Sequence, residues 1–150
     1  MKAPLFSLPD SLGIIHSLED YQGKWVILYF YPRDDTPGCT KEACGFRDMT
    51  EAFTQKNAVI LGVSKDSVSS HKKFSDKFSL SFSLLSDENL ETIKAYEAWG
   101  KKKFMGKVFD GIMRSTVLID PHGNIVKRYE KVDPVVHASE ILSDIETLSK

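Results

Sequence analysis

Residues 23–32, Gly-Lys-Trp-Val-Ile-Leu-Tyr-Phe-Tyr-Pro, form an almost unbroken apolar run of β-branched and aromatic residues that stops at a proline. Such a run suits a strand covered on both faces, and Pro32 ends its ladder. A helix start follows within four residues. Thr36 suits the N-cap and Pro37 the first helical position, where its missing N–H costs nothing. A buried strand running straight into a helix is the opening half of a crossover unit, and it excludes a purely helical or purely antiparallel chain.

The rest of the chain continues that alternation. A helix is expected over 36–57, a buried strand over 58–64, a helix over 67–79 with an apolar seam at Val68, Phe74 and Phe78, a strand over 82–87 and a helix over 89–99. Residues 100–113 show no clean period, and the stretch 98–113 reads as a loop. It is long for a structureless connection, which often marks function. Either Trp99, Phe104, Met105 and Phe109 wall a site, or they pack on the core while the lysines are solvated. Strands over 114–120 and 124–132 flank the turn Pro-His-Gly-Asn, and a closing helix covers 135–150. Strands alternating with helices imply a partly parallel sheet covered by helices. With a terminal antiparallel hairpin this is the layout of the thioredoxin fold, an α/β class, and segment 4–20 adds a small N-terminal hairpin. No linker divides the 150 residues, so one domain is expected.

Composition narrows the function. The formal net charge is −1 with no block of like charges, which speaks against nucleic acid and against an anionic membrane surface. No apolar run approaches the roughly 20 residues needed to span a bilayer, and the N-terminus lacks the apolar core of a secretory signal. A cytoplasmic setting is expected. There, paired thiols are more often catalytic or metal-binding than structural.

Both cysteines, Cys39 and Cys44, lie in "YPRDDTPGCTKEACGFRD", five positions apart. Cys39 falls in the first turn of the expected helix, where backbone N–H groups without intrahelical partners favour a thiolate. The plainer alternative is a small buried apolar residue. On the helical wheel Cys39 shares a side with Ala43, Phe46, Met49, Thr50 and Phe53, which faces the sheet. Cys44 projects roughly opposite, among Lys41, Asp48 and Glu51. On an intact helix their Cα atoms stand roughly 8–9 Å apart and about 140° around the axis, beyond the about 7 Å that a disulfide tolerates. Either the pair never couples or the helix start unwinds, and Gly38 and Gly45 make unwinding feasible. Two thiols do not make a zinc site, and His16, His71, His122 and His137 are scattered, so no metal is expected.

A free thiol is a few per cent thiolate at pH 7, so full ionisation gains only about thirtyfold while intrinsic nucleophilicity falls. A fast catalyst must also hold the electrophile and stabilise its leaving group, which calls for a hydroxyl and a cation near Cys39. Thr36 offers the hydroxyl, as well as a plain N-cap. Glu42 falls near the apolar side of the wheel. It either pairs with an arginine or simply favours the helix dipole. Arg114, at the start of an expected strand, is by itself compatible with a solvated edge residue.

The cysteine segment resembles the active-site segment of peroxiredoxins, in particular the bacterioferritin comigratory protein or peroxiredoxin Q group. The family pattern of Pro, three residues, Thr, two residues, Cys is met by Pro32, Thr36 and Cys39, and the group's second cysteine by Cys44. "APLFSLPD", "LEDYQGKWVILYFYP", "GVSKDS", "LLSD" and "GIMRSTVLIDPHGNI" extend the resemblance over nearly the whole chain. Val117 departs from the frequent family Phe, which touches packing and not chemistry. The resemblance implies a thiol peroxidase acting on hydrogen peroxide and organic hydroperoxides. Cys39 would be the peroxidatic cysteine and Cys44 the resolving cysteine of an intrasubunit disulfide. Arg114 would stabilise the thiolate and bind peroxide oxygen, Thr36 would hydrogen-bond the peroxide and Pro32 would shield the sulfur. It implies recycling by thioredoxin or a similar dithiol, no metal or other cofactor, and a monomer or weak homodimer. A general thiol–disulfide oxidoreductase, against which the absence of CxxC speaks, and a non-enzymatic peroxide sensor or holdase are the competing readings.

Overall fold

Strand β3 (Trp25–Phe30) lies at the centre of a five-stranded sheet ordered β5-β4-β3-β8-β9 in a computed structural model that describes residues 1–130, 132–134 and 136–149. It pairs in parallel with β4 (Ala58–Ser64), which pairs in parallel with β5 (Ser83–Ser86). On its other side it pairs antiparallel with β8 (Ser115–Ile119), and β8 with β9 (Ile125–Tyr129). The period of two explains why the run is apolar throughout. Ile27 and Tyr29 enter one buried cluster with Phe46, Phe53, Phe74 and Ile141, while Val26, Leu28 and Phe30 enter a second with Phe6, Leu61, Ile93 and Val117. Tyr29 sits opposite Gly62 in the register, and a Cβ there would come within 2.8 Å of the tyrosine ring. The mixed sheet with flanking helices is the thioredoxin fold.

The N-terminal hairpin forms as β1 (Ser7–Pro9) and β2 (Ile15–Ser17), followed by a 3-10 turn at Leu18–Tyr21. The helix expected over 36–57 is two helices, α1 (Pro37–Asp48) and α2 (Thr50–Gln55). They are broken at Met49, whose N–H bonds to Phe46 O, three residues back, while Thr50 Oγ1 donates to the same carbonyl. Short 3-10 bonding and side-chain back-bonding together interrupt the α ladder. Helix α3 (Val68–Phe78) starts on a Ser67 cap that accepts from Ser70 N–H.

The helix expected over 89–99 is only α4 (Glu91–Ala95). Glu97 takes a left-handed conformation and Ala98 N–H returns to Ile93 O, a closing motif that ends the helix early. The stretch 98–113 is not a loop. Strands β6 (Trp99–Phe104) and β7 (Lys107–Ile112) form a hairpin in which Met105 and Gly106 both take positive φ, as a two-residue mirror-image turn requires. Helix α5 (His137–Leu148) packs on α1, with the His137 ring edge-on to Phe46 at 5.7 Å. Of the expected final strand and helix, residues 131, 135 and 150 lie outside the described residues. Among the described residues no helix is long and apolar enough to cross a membrane.

Candidate active site

The site forms where β3 ends and α1 begins. Cys39 is the third residue of α1 and is 1% exposed, on the same face as the buried Ala43 and Phe46. Arg114 reaches it because β8 runs antiparallel to β3 with Ser115 opposite Phe30. One step further along that register puts Arg114 at the sheet end from which α1 departs, although the two residues are 75 positions apart. Its Nη2–H donates to Cys39 Sγ at 3.2 Å and its Nη1–H to Glu42 Oε1 at 2.6 Å. Gly38 leaves the guanidinium its place, since a Cβ there would lie 3.2 Å from Nη2.

Glu42 is buried one turn beyond Cys39, and its Oε2 has no hydrogen-bond partner among the described residues. Burial pushes its carboxyl up to about 7, against the pull of the Arg114 guanidinium. Burial pulls Arg114 down in turn, but the facing Glu42 and Cys39 outweigh it and hold the guanidinium above its ordinary value. Of the two sequence readings of Glu42, the ion pair is the one the structure contains. The cation is thus fixed by a carboxylate on one fork and aims the other at sulfur, an arrangement that stabilises negative charge on the thiol and on an oxygen bound beside it.

Thr36 takes the N-cap position, but its hydroxyl makes no capping bond. Instead Thr36 Oγ1 donates to Arg33 O at 3.0 Å. The expectation of a plain N-cap is therefore corrected: the hydroxyl is turned onto the loop that precedes the helix. Pro32 is half-buried and lines a groove of about 440 Å³ together with Arg33, Phe109 and Ile112. Cys39, Thr36 and Arg114 do not line that groove, and what the hairpin walls through Phe109 is the space beside Pro32. Phe104 and Met105, at 67% and 86% exposure, stand out at its tip instead. Cys44 is half-buried further along α1, and both thiols are free. Beside it a Cβ on Gly45 would lie 3.6 Å from Pro134 O, so α1 runs close against the chain leading into α5.

A group that sequence reasoning missed lies under the same loop. Asp34 is buried and accepts from Tyr31 Oη at 2.6 Å and Ser70 Oγ at 2.8 Å, and His71 Nδ1 is 2.7 Å from its Oδ2. Asp66 accepts from the Asp34 N–H at 2.9 Å. The sequence signal was an Asp or Asp-Ser following each of two buried strands, in "PRDD" and "SKDS".

A lone buried thiol in the first turn after the central strand of a thioredoxin fold, clamped by a charge-paired arginine, defines a peroxiredoxin-type thiol peroxidase rather than a CxxC oxidoreductase. The sequence matches the AhpC/TSA family over residues 1–128. It is 48% identical to a putative peroxiredoxin Bcp of Coxiella burnetii over 141 residues, covering 94% of this chain and 93% of that one. It is 46% identical to the peroxiredoxin Bcp of Bacillus subtilis over 149 residues, covering 99% and 95%. The solved structure of the Xanthomonas campestris bacterioferritin comigratory protein, studied for its alkyl peroxide reduction activity, superposes with a TM-score of 0.92 at 38% identity, covering 97% and 92%. The chain belongs to the AhpC/TSA family, and within it to the Bcp or peroxiredoxin Q group. It is a thiol peroxidase of that group.

Proposed function

We propose that the 150 residues act as one catalytic domain that reduces hydrogen peroxide and organic hydroperoxides through Cys39, with Cys44 as resolving thiol. The contact of Arg114 Nη2 with Cys39 Sγ at 3.2 Å carries the reading. The Cys39 thiolate attacks the terminal, hydrogen-bearing oxygen of ROOH. An S–O bond forms, the O–O bond breaks, and RO⁻ leaves and takes a proton from water, so sulfur is oxidised to sulfenic acid and peroxide reduced to alcohol. Arg114 neutralises the charge that passes from sulfur to the leaving oxygen. Thr36 hydrogen-bonds the peroxide and Pro32 shields the sulfur from water. Cys44 then displaces hydroxide as water to give a Cys39–Cys44 disulfide, and a protein dithiol such as thioredoxin reduces it by exchange.

The alkyl peroxide activity studied in the Xanthomonas relative supports the organic hydroperoxide range. The need for a dithiol reductant supports a cytoplasmic setting, and a working unit of monomer or weak homodimer is consistent with both thiols lying in one helix. The test is peroxide consumption with thioredoxin, its reductase and NADPH. Sustained NADPH loss is expected. Consumption no faster than by free cysteine at equal concentration sinks the peroxidase reading. Insulin reduction without peroxide turnover would point to a general oxidoreductase, and one stoichiometric oxidation without turnover to a sensor.

A further inference from the structure

We propose that Asp66 is a positioning residue for the Thr36 hydroxyl, acting through the single peptide unit between Arg33 and Asp34. This rests on the reading of Thr36 as the residue that hydrogen-bonds peroxide. The two edges of that peptide are both engaged. The Asp34 N–H donates to Asp66 Oδ2 at 2.9 Å, and the Arg33 carbonyl accepts the Thr36 hydroxyl at 3.0 Å. No peptide bond among the described residues is cis. In a planar trans unit the N–H and C=O point in opposite directions, so fixing one edge fixes the other. Asp66 therefore sets the direction from which Arg33 O receives the Thr36 proton.

Asp66 is itself held by the sheet. Ser64, the last residue of β4 and fully buried, donates its hydroxyl to Asp66 Oδ2 at 2.7 Å and accepts the Asp66 N–H at 3.1 Å. On the other side of the peptide, the Asp34 carboxylate is clamped by Tyr31, Ser70 and His71. His71 is 0% exposed and its Nε2 lies 3.0 Å from Leu85 O. Asp34, Asp66 and His71 bring oxygen and nitrogen atoms within 4.8 Å of one another, a spacing also seen in metal sites. Here those atoms are engaged in protein hydrogen bonds, and the cluster's work is to hold one peptide plane.

The chemical consequence is a hydroxyl of fixed polarity. With its proton committed to Arg33 O, Thr36 Oγ1 turns lone pairs to the site and accepts the O–H of a hydroperoxide. It then orients the oxygen that Cys39 attacks, while Arg114 faces the developing alkoxide. A hydroxyl released from Arg33 O rotates freely and loses that preference. The effect falls on peroxide and not on electrophiles that lack an O–H to donate.

The experiment uses the Cys44→Ser background, so that Cys39 alone reacts, and compares oxidation by hydrogen peroxide with alkylation by iodoacetamide. Asp66→Ala is expected to slow peroxide oxidation about tenfold, the order for a displaced orienting contact, and to leave alkylation within about twofold. Asp66→Asn keeps an oxygen for the Asp34 N–H and is expected to restore most of the rate. In a double-mutant cycle Asp66→Ala adds no further loss to Thr36→Val. Full additivity, or equal losses with both reagents, overturns the proposal. If Thr36→Val alone leaves peroxide oxidation unchanged, the reading of Thr36 fails and the relay with it. If Thr36→Val slows oxidation and Asp66→Ala does not, only the relay fails. Should Asp66→Ala not fold, Ser64→Ala removes one hydroxyl that holds Asp66. It is expected to show the same selectivity for peroxide at about threefold, and equal effects on both reagents there overturn the proposal as well.

Discussion

The Arg114 guanidinium touches the Cys39 sulfur at 3.2 Å across 75 residues of chain. A planar fork is needed, because one nitrogen serves sulfur while the other is held at 2.6 Å by Glu42. Lysine supplies the charge at one point only. Arg114→Lys is therefore expected to lower the second-order rate with hydrogen peroxide by roughly 10²-fold or more, the order lost with one preorganised donor at a developing oxyanion. Stopped-flow oxidation of Cys39 measures it. A fall under about threefold would mean that charge alone suffices and the fork is incidental.

How far the site could be read in advance depended on whether a residue's role is set locally. Cys39 and its helix start are announced by neighbours in sequence, as is the buried strand before them. Glu42 was placed by helical period on the buried face, but its partner is a matter of sheet register and only the fold supplies it. Asp34 and Asp66 look like ordinary turn residues after strands. Asp34 is buried and Asp66 half-buried where α3 brings Ser70 and His71 against the loop, which no local pattern encodes. The hairpin at 99–112 escaped because its turn is Met105–Gly106 rather than an Asn-Gly type, and its strands carry lysines without clean alternation. The continuous helical pattern likewise breaks at Met49, where the Met49 N–H and Thr50 Oγ1 both bond to Phe46 O.

Glu42 makes stability depend on pH. Its folded value is raised from 4.5 to about 7, so the folded state binds the proton more tightly than the unfolded chain does. The contribution is complete below the unfolded value and is lost as pH rises through about 7. Over that window it is on the order of 3 kcal/mol. Urea unfolding from about pH 5 to 8 should therefore show wild type losing stability relative to Glu42→Gln as pH rises. Parallel curves would mean that Glu42 is ionised throughout and fully compensated by Arg114.

Gly38 gives a case in which activity and stability part. Alanine is favoured over glycine within a helix by about 1 kcal/mol, and the first turn of α1 is otherwise intact. Yet the new Cβ would stand 3.2 Å from Arg114 Nη2, and that nitrogen already donates to Cys39 Sγ. Gly38→Ala is expected to keep or raise the melting temperature while slowing peroxide oxidation by about threefold to tenfold, as a displaced charge-assisted donor would. Unchanged kinetics would show that the guanidinium can shift without loss.

The two thiols lie on one helix, and that helix while intact forbids a Cys39–Cys44 bond. Positions five apart on a helix stand roughly 8–9 Å apart at Cα, against the about 7 Å that a disulfide allows. Forming the bond must cost helix. Phe46 is fully buried and stacked on Tyr29 at 4.8 Å, so it anchors the end of any unwound segment. At the other end Asp34 is pinned beneath the loop. The unwound stretch therefore lies between these posts, about two turns of α1. Oxidation by one equivalent of peroxide should reduce the far-UV helix signal by that amount, and a dithiol should restore it. Cys44→Ser should still be oxidised once at the wild-type rate, keep its helix signal and fail to turn over with thioredoxin. A confirmed Cys39–Cys44 bond with an unchanged spectrum would contradict the unwinding, and normal turnover of Cys44→Ser would remove Cys44 from the cycle.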